Sequence, residues 1–261
     1  MLMIISIDGK IVPEKNAKIS LTSEAFLFGY AVFETIRTYN GKVFRLEDHL
    51  GRLFVSADVI GLKSKWTIKK TLKEVSRVLA KSKYPDVKIR IILTKKQLFV
   101  MIEKLKEKPS DMYKKGVKIV SYPGNRTVPR AKKLADAFTY LAKQHASECG
   151  VYESLLVDTK TYIRECAYAN IFWVNDGKLY TTNKDILFGI TRETVIELAD
   201  DCNFEGMKYK SLLGVDEVFI TQTTSGILPV TSIDGHKIGG GRPGPITKKL
   251  MKNFSKLVWA K

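Results

Sequence analysis

Four short stretches of the 261-residue chain combine side chains that can do chemistry. In Gly189-Ile190-Thr191-Arg192-Glu193, a glycine and a capping threonine feed the helical run TRETVIELA. The unpaired N–H groups and the dipole of such a helix start can hold a phosphate. Thr221-Gln222-Thr223-Thr224-Ser225-Gly226 is a hydroxyl-rich turn after an apolar strand, which can donate to the same anion or cap itself. Glu165, in TYIRECAYANIFWV, ends one strand of a hairpin, as an available acid or as a half-exposed partner of a lysine. Lys132 and Lys133 head an apolar helix, and a lysine can form a Schiff base with a carbonyl cofactor.

These stretches need elements to position them. Alternation and turn signals predict strands at 3–12 and 31–46, the latter turning at Asn40-Gly41, and at 88–94, 97–103 and 117–122. Helical spacing predicts helices over 47–60, 67–82 and about 132–148, one opening at Thr191 and one after Pro245. A hairpin is expected over 154–181 and a strand over 216–222. In the strand from Ala31, alternation sets Phe33, Thr35, Arg37 and Tyr39 against Val32, Glu34, Ile36 and Thr38. The aperiodic stretch PGNRTVPR leads to a division into a small N-terminal α/β domain (1–120), a connection (121–131) and a larger C-terminal domain (132–261). The fold class is α+β.

Composition narrows the function. With 44% hydrophobic and 27% charged residues the chain is globular, and no apolar run approaches the ~18 residues of a membrane span. Cys149, Cys166 and Cys202 cannot all pair and show no C-x-x-C spacing, which argues against a disulfide framework or a cysteine zinc site and for a reducing cytoplasm. The net charge of +17 invites a nucleic-acid reading. The lysines, however, are interleaved with acids and apolar residues as on solvated helix faces. Acidic or phosphorylated small molecules are the better-matched partners, with no nucleic acid, membrane or metal expected.

Taken in order, the blocks resemble the class IV aminotransferase family, the pyridoxal 5′-phosphate enzymes of fold type IV. FGYAVFETIRTYNGKVFRLEDHLGRL (28–53) is similar to the family's F-G-D-G-V-F-E-T-I-R stretch and its following H-L-x-R-L. Further matches are LAKQHA (141–146), E-x-x-x-x-N-I-F (165–172), GITRETV (189–195), DEVFIT (216–221) and the run from IDG to PGPITK (233–248). The resemblance implies a two-domain fold like that of the D-amino-acid aminotransferases, with the cofactor between the domains, and a homodimer. It implies that Arg52, the Ile190 and Thr191 backbone and Thr223 hold the cofactor phosphate, and that Glu165 faces the pyridine nitrogen. An ungapped count back from LAKQHA makes Lys132 the Schiff-base lysine, and a one-residue gap would make it Lys133. Three departures stand out: FGYA for FGDG, Cys-Ala-Tyr-Ala after Glu165, and KKLADAF without the Asn-Tyr pair of many branched-chain enzymes.

The expected activity is transamination between an amino acid and a 2-oxo acid, with branched-chain or aliphatic amino acids foremost. The Arg-x-His pair usual in D-amino-acid enzymes after the 88–94 strand is missing from TKKQLFV, whereas Arg90 resembles an arginine common in branched-chain enzymes. Arg37 and Arg90 are the candidates for a substrate carboxylate, because a guanidinium fits one bidentately. Phe33 and Thr224 are further candidate substrate contacts. The alternatives are a D-amino-acid transaminase, an aminodeoxychorismate lyase eliminating pyruvate and, remotely, a basic nucleic-acid-binding protein.

Overall fold

The computed structural model describes residues 3–259, which divide into two compact units. The first runs to Lys106 and takes back Arg130–Asp136; the second contains Glu107–Pro129 and the chain from Ala137 onward.

The first unit contains strands β1 (Ile4–Ile7) and β2 (Lys10–Val12), helix α1 (Glu24–Leu27), and strands β3 (Ala31–Tyr39) and β4 (Lys42–Val43). Helices α2 (Leu46–Val59) and α3 (Ile68–Leu79) and strands β5 (Val87–Thr94) and β6 (Leu98–Lys104) follow. The sheet order is β2-β1-β6-β5-β3-β4, with antiparallel pairing throughout. Strand alternation decides what each face does. Val32 and Ile36 of β3 and Ile89 and Ile91 of β5 are buried in one core with Leu50 and Leu53 of α2. Each such side chain contributes about 1.5–3 kcal/mol on burial. On the other face Phe33, Thr35 and Arg37 stand opposite Ile92, Arg90 and Lys88.

The second unit contains α4 (Ser110–Lys114), β7 (Val117–Pro123), α5 (Ala137–Glu148), β8 (Glu153–Val157), β9 (Ile163–Cys166), β10 (Asn170–Asn175) and β11 (Lys178–Thr181). After these come α6 (Ile190–Leu198), β12 (Asn203–Phe204), α7 (Tyr209–Leu212), β13 (Glu217–Gln222), β14 (Gly226–Ile233), β15 (His236–Lys237) and α8 (Pro245–Val258). The sheet runs β12-β11-β10-β13-β14-β7-β8-β9, with β15 also paired to β14. Its core gathers Leu155, Ile171, Trp173, Val218, Ile220 and Leu228, and Phe172 stacks on Phe219 across the β10–β13 pair.

Several elements differ from the sequence expectation, each for a physical reason. The helix expected from 132 begins at Ala137, because residues 132–134 pair with β3 instead. The Phe33 N–H donates to the Lys132 carbonyl and the Leu134 N–H to the Ala31 carbonyl. Lys132 and Lys133 therefore lie in extended chain rather than at a helix head. Strand β7 pairs in parallel with β8 and β14, so contacts assign it to the second unit, whereas the sequence division falls after residue 120. The hydroxyl-rich turn leads into a fully buried strand, β14, that alternation could not flag. Gly226 opens that strand at φ +67°, a conformation side chains disfavour, and packs against Phe254. Among the described residues, no helix is long and apolar enough to cross a membrane.

Helix α8 shows how this protein finishes a helix start that it uses only structurally. Its N-terminal N–H groups meet the Glu217 carboxylate, Ile246 donating to Oε1 at 3.0 Å and Thr247 to Oε2 at 2.7 Å. Glu217→Ala should lower unfolding free energy by about 1–3 kcal/mol in urea titration, because two N–H groups lose their carboxyl acceptor.

Candidate active site

In the first unit, one stripe of α2 organises the polar residues. His49, Arg52 and Ser56 follow at i, i+3 and i+7, on one face of the helix. Glu34 of β3 meets two of them. Arg52 donates to it through Nε (2.7 Å to Oε1) and Nη2 (2.8 Å to Oε2), and His49 Nδ1 lies 2.8 Å from Oε2. Glu34 has no solvent exposure. Burial would raise its carboxyl, but Arg52 and His49 together outweigh burial and hold it below the usual carboxylate range. Burial pushes His49 below its own usual value, against the pull of Glu34, so the ring is neutral and donates from Nδ1. The third member of the stripe, Ser56, accepts from the Lys132 backbone N–H at 3.1 Å.

The Lys132 side chain lies over the Phe33 ring, with Nζ 4.6 Å from its centroid. Arg90 addresses the same ring, its Cζ 4.4 Å from the centroid. An amine and a guanidinium thus share one aromatic platform, on the sheet face that alternation assigned to Phe33. Arg37 is arranged differently. It is buried, donates from Nε to the Thr38 carbonyl and stacks 3.8 Å over Tyr39.

In the second unit, Glu165 lies one residue before the end of β9 and is buried rather than half-exposed. An arginine pairs with it: Arg126 Nε lies 3.2 Å from Oε1. The Leu187 N–H donates to Oε1 at 3.1 Å. Asn170 Nδ2 donates to the Leu187 carbonyl at 2.8 Å and reaches Glu165 Oε2 at 3.4 Å. One loop is thereby tied to the carboxylate from both sides, and that loop runs straight into α6. The cap of α6 is Gly189, not the expected Thr191, and Gly189 offers no side-chain cap. A Cβ at Gly189 would stand 2.1 Å from Asn170 Oδ1, so only glycine passes this point. Thr223 and Thr224 sit half-buried in the turn after β13, the strand on which α6 packs. The Cys166 thiol beside Glu165 is pushed well up by burial and is no nucleophile.

The donor set suits a phosphorylated pyridine. Within the second unit, a buried carboxylate and an uncapped helix start are anchored to one loop, as a ring nitrogen and a phosphate arm on one molecule require. Sequence reasoning misses Glu34, His49, Ser56, Arg126 and Asn170. A polar stripe inside an apolar helix face signals the second and third, and the E-x-x-x-x-N spacing signals the last.

The sequence model of the amino-transferase class IV family matches residues 31–233. A putative branched-chain-amino-acid aminotransferase of Methanocaldococcus jannaschii is 33% identical over 97% of this chain and 95% of its own. A D-alanine aminotransferase of Staphylococcus epidermidis is 29% identical over 97% and 96%. The solved T.th. branched-chain amino acid aminotransferase with pyridoxamine 5′-phosphate superposes with a TM-score of 0.91 at 27% identity, covering 98% of this chain and 93% of that one. The chain belongs to the class IV aminotransferases, enzymes that depend on pyridoxal 5′-phosphate and have the α+β fold type IV. Gly189→Ala should force Asn170 aside and weaken pyridoxal-phosphate binding at least about tenfold in fluorescence titration, since loop and helix start move together.

Proposed function

We propose that the chain transfers the amino group of an aliphatic amino acid, branched-chain ones foremost, to a 2-oxo acid. The observation that carries this reading is Arg90 sharing the Phe33 ring with Lys132. A guanidinium near the reacting amine suits a donor bearing a carboxylate, and the phenyl ring offers an apolar wall to its side chain. The named activity of the M. jannaschii relative supports the same choice. A second reading, a D-amino-acid donor, draws support from the S. epidermidis relative.

When bound, pyridoxal phosphate supplies the sink for electrons released at the substrate Cα. In this reading Arg52, the Ile190 and Thr191 N–H groups and Thr223 hold its phosphate. Glu165, paired with Arg126, would hold the proton at the ring nitrogen. Lys132 would hold the cofactor covalently in the resting enzyme and, as a free amine, would take up and return the substrate Cα proton. Arg90 receives the substrate carboxylate, with Phe33 and Thr224 lining the site; Arg37 stands behind on the same sheet face. We also propose a homodimer working in the cytoplasm. Leu21, Phe26, Leu27 and Phe28, in and beside α1, are each exposed apolar side chains that a second copy would cover, and three free cysteines suit a reducing compartment.

Two measurements test the reading. Borohydride reduction of the holoenzyme followed by peptide mapping should label Lys132; a label on Lys133 would overturn the assignment. Half-reactions with L-leucine, D-leucine, D-alanine and 1-phenylethylamine should favour L-leucine, and Arg90→Ala should lower kcat/KM for it roughly tenfold to a hundredfold. Preference for the D-amino acids would select the second reading, and equal activity on the simple amine would refute both.

A further inference from the structure

Glu34 is the one charged residue on the buried face of β3. Its neighbours on that face, Val32 and Ile36, are fully buried, as Glu34 is. Replacing a buried ionic cluster with apolar side chains is often neutral or stabilising, so stability alone does not account for Glu34, His49 and Arg52 being polar. Their geometry is more specific than folding needs. The carboxylate engages Arg52 through two parallel N–H···O bonds, at 2.7 and 2.8 Å, which fixes the guanidinium plane. His49, neutral and buried, braces the second carboxylate oxygen from the preceding turn of α2. The Thr35 N–H donates to that oxygen as well, at 3.3 Å. With Nε and Nη2 of Arg52 committed to Glu34, the direction of the opposite edge of the guanidinium is set too.

We propose that Glu34, braced by His49, is a positioning residue for the phosphate subsite: it presets the Arg52 guanidinium so that one defined edge meets the cofactor phosphate. The inference rests on the reading of Arg52 as a phosphate ligand. It also fixes a sign. A carboxylate that merely offset the arginine's charge would weaken phosphate binding, and its removal would tighten it. A carboxylate that orients the arginine strengthens binding by removing the entropy of a loose side chain, and its removal loosens it.

The test uses the full-length chain stripped of cofactor and titrated with pyridoxal 5′-phosphate, pyridoxal and inorganic phosphate, by absorbance and by calorimetry. Glu34→Gln should weaken pyridoxal phosphate and inorganic phosphate about tenfold or more, while pyridoxal, which lacks the phosphate, changes less than about twofold. Glu34→Asp keeps the charge but shortens the reach. It should fold as the parent does and show an intermediate loss confined to the two phosphate-bearing probes, which keeps the test open if Glu34→Gln is unstable. Equal losses for pyridoxal and pyridoxal phosphate would mean a general structural role and overturn the proposal. Unchanged or tighter phosphate binding would overturn it too. Arg52→Gln separates the two layers. If it leaves phosphate binding intact, the phosphate reading of Arg52 falls and takes the proposal with it. If it weakens phosphate binding while both Glu34 variants do not, only the role of Glu34 falls.

Discussion

A carboxylate sealed from water must be answered by cations or donors at hydrogen-bond distance, or it protonates. Glu34 meets that demand inside the first unit, and much of the unit's arrangement follows from how. Arg52 and His49 must project from the same stripe of α2, which fixes the rotation of the helix on β3. That rotation also points Ser56 at the extended segment carrying Lys132. The segment can then pair with β3 at Ala31 and Phe33, and its lysine reaches the Phe33 ring. Hydrogen bonds thus link one buried charge, through α2, to the segment that carries Lys132.

The second unit solves the same problem with different parts. Glu165 is answered by Arg126, by the Leu187 N–H and by Asn170, and the last two belong to or grip the loop entering α6. The two longer helices of this unit that start from a glycine differ in how their first N–H groups are met. Glu217 fills the start of α8, whereas α6 begins at Gly189 with no side-chain cap. A helix start closed by a protein carboxylate is already satisfied; the start of α6, whose cap is a glycine, leaves its first N–H groups to other acceptors. Gly189 is required there because Asn170 occupies the space a side chain would need.

Much of the site is legible in the chain. The blocks around FETIR, HLGRL, E-x-x-x-x-N-I-F and GITRETV carry the family resemblance, and the family match over residues 31–233 agrees with it. Alternation in β3 correctly separates the face of Val32, Glu34 and Ile36 from that of Phe33, Thr35 and Arg37. Local pattern fails where partners come from afar. Periodicity misplaces the start of α5 because residues 132–134 satisfy their backbone on β3, a strand about a hundred residues earlier. It misses β14 because a strand buried on both faces has no alternation to read.

The sequence by itself determined which residue types exist and which face of each element they occupy, because strand and helix periods are local properties of the backbone. It determined that Glu34, His49, Arg52, Lys132 and Glu165 are present, but not what each one touches. Only tertiary structure decided that Arg52 pairs bidentately with Glu34, that Glu165 takes Arg126, and that Arg90 and Lys132 share Phe33 while Arg37 turns to Tyr39. Those choices depend on distance and desolvation between segments far apart in the chain, and charge pairing in a buried site is decided by both.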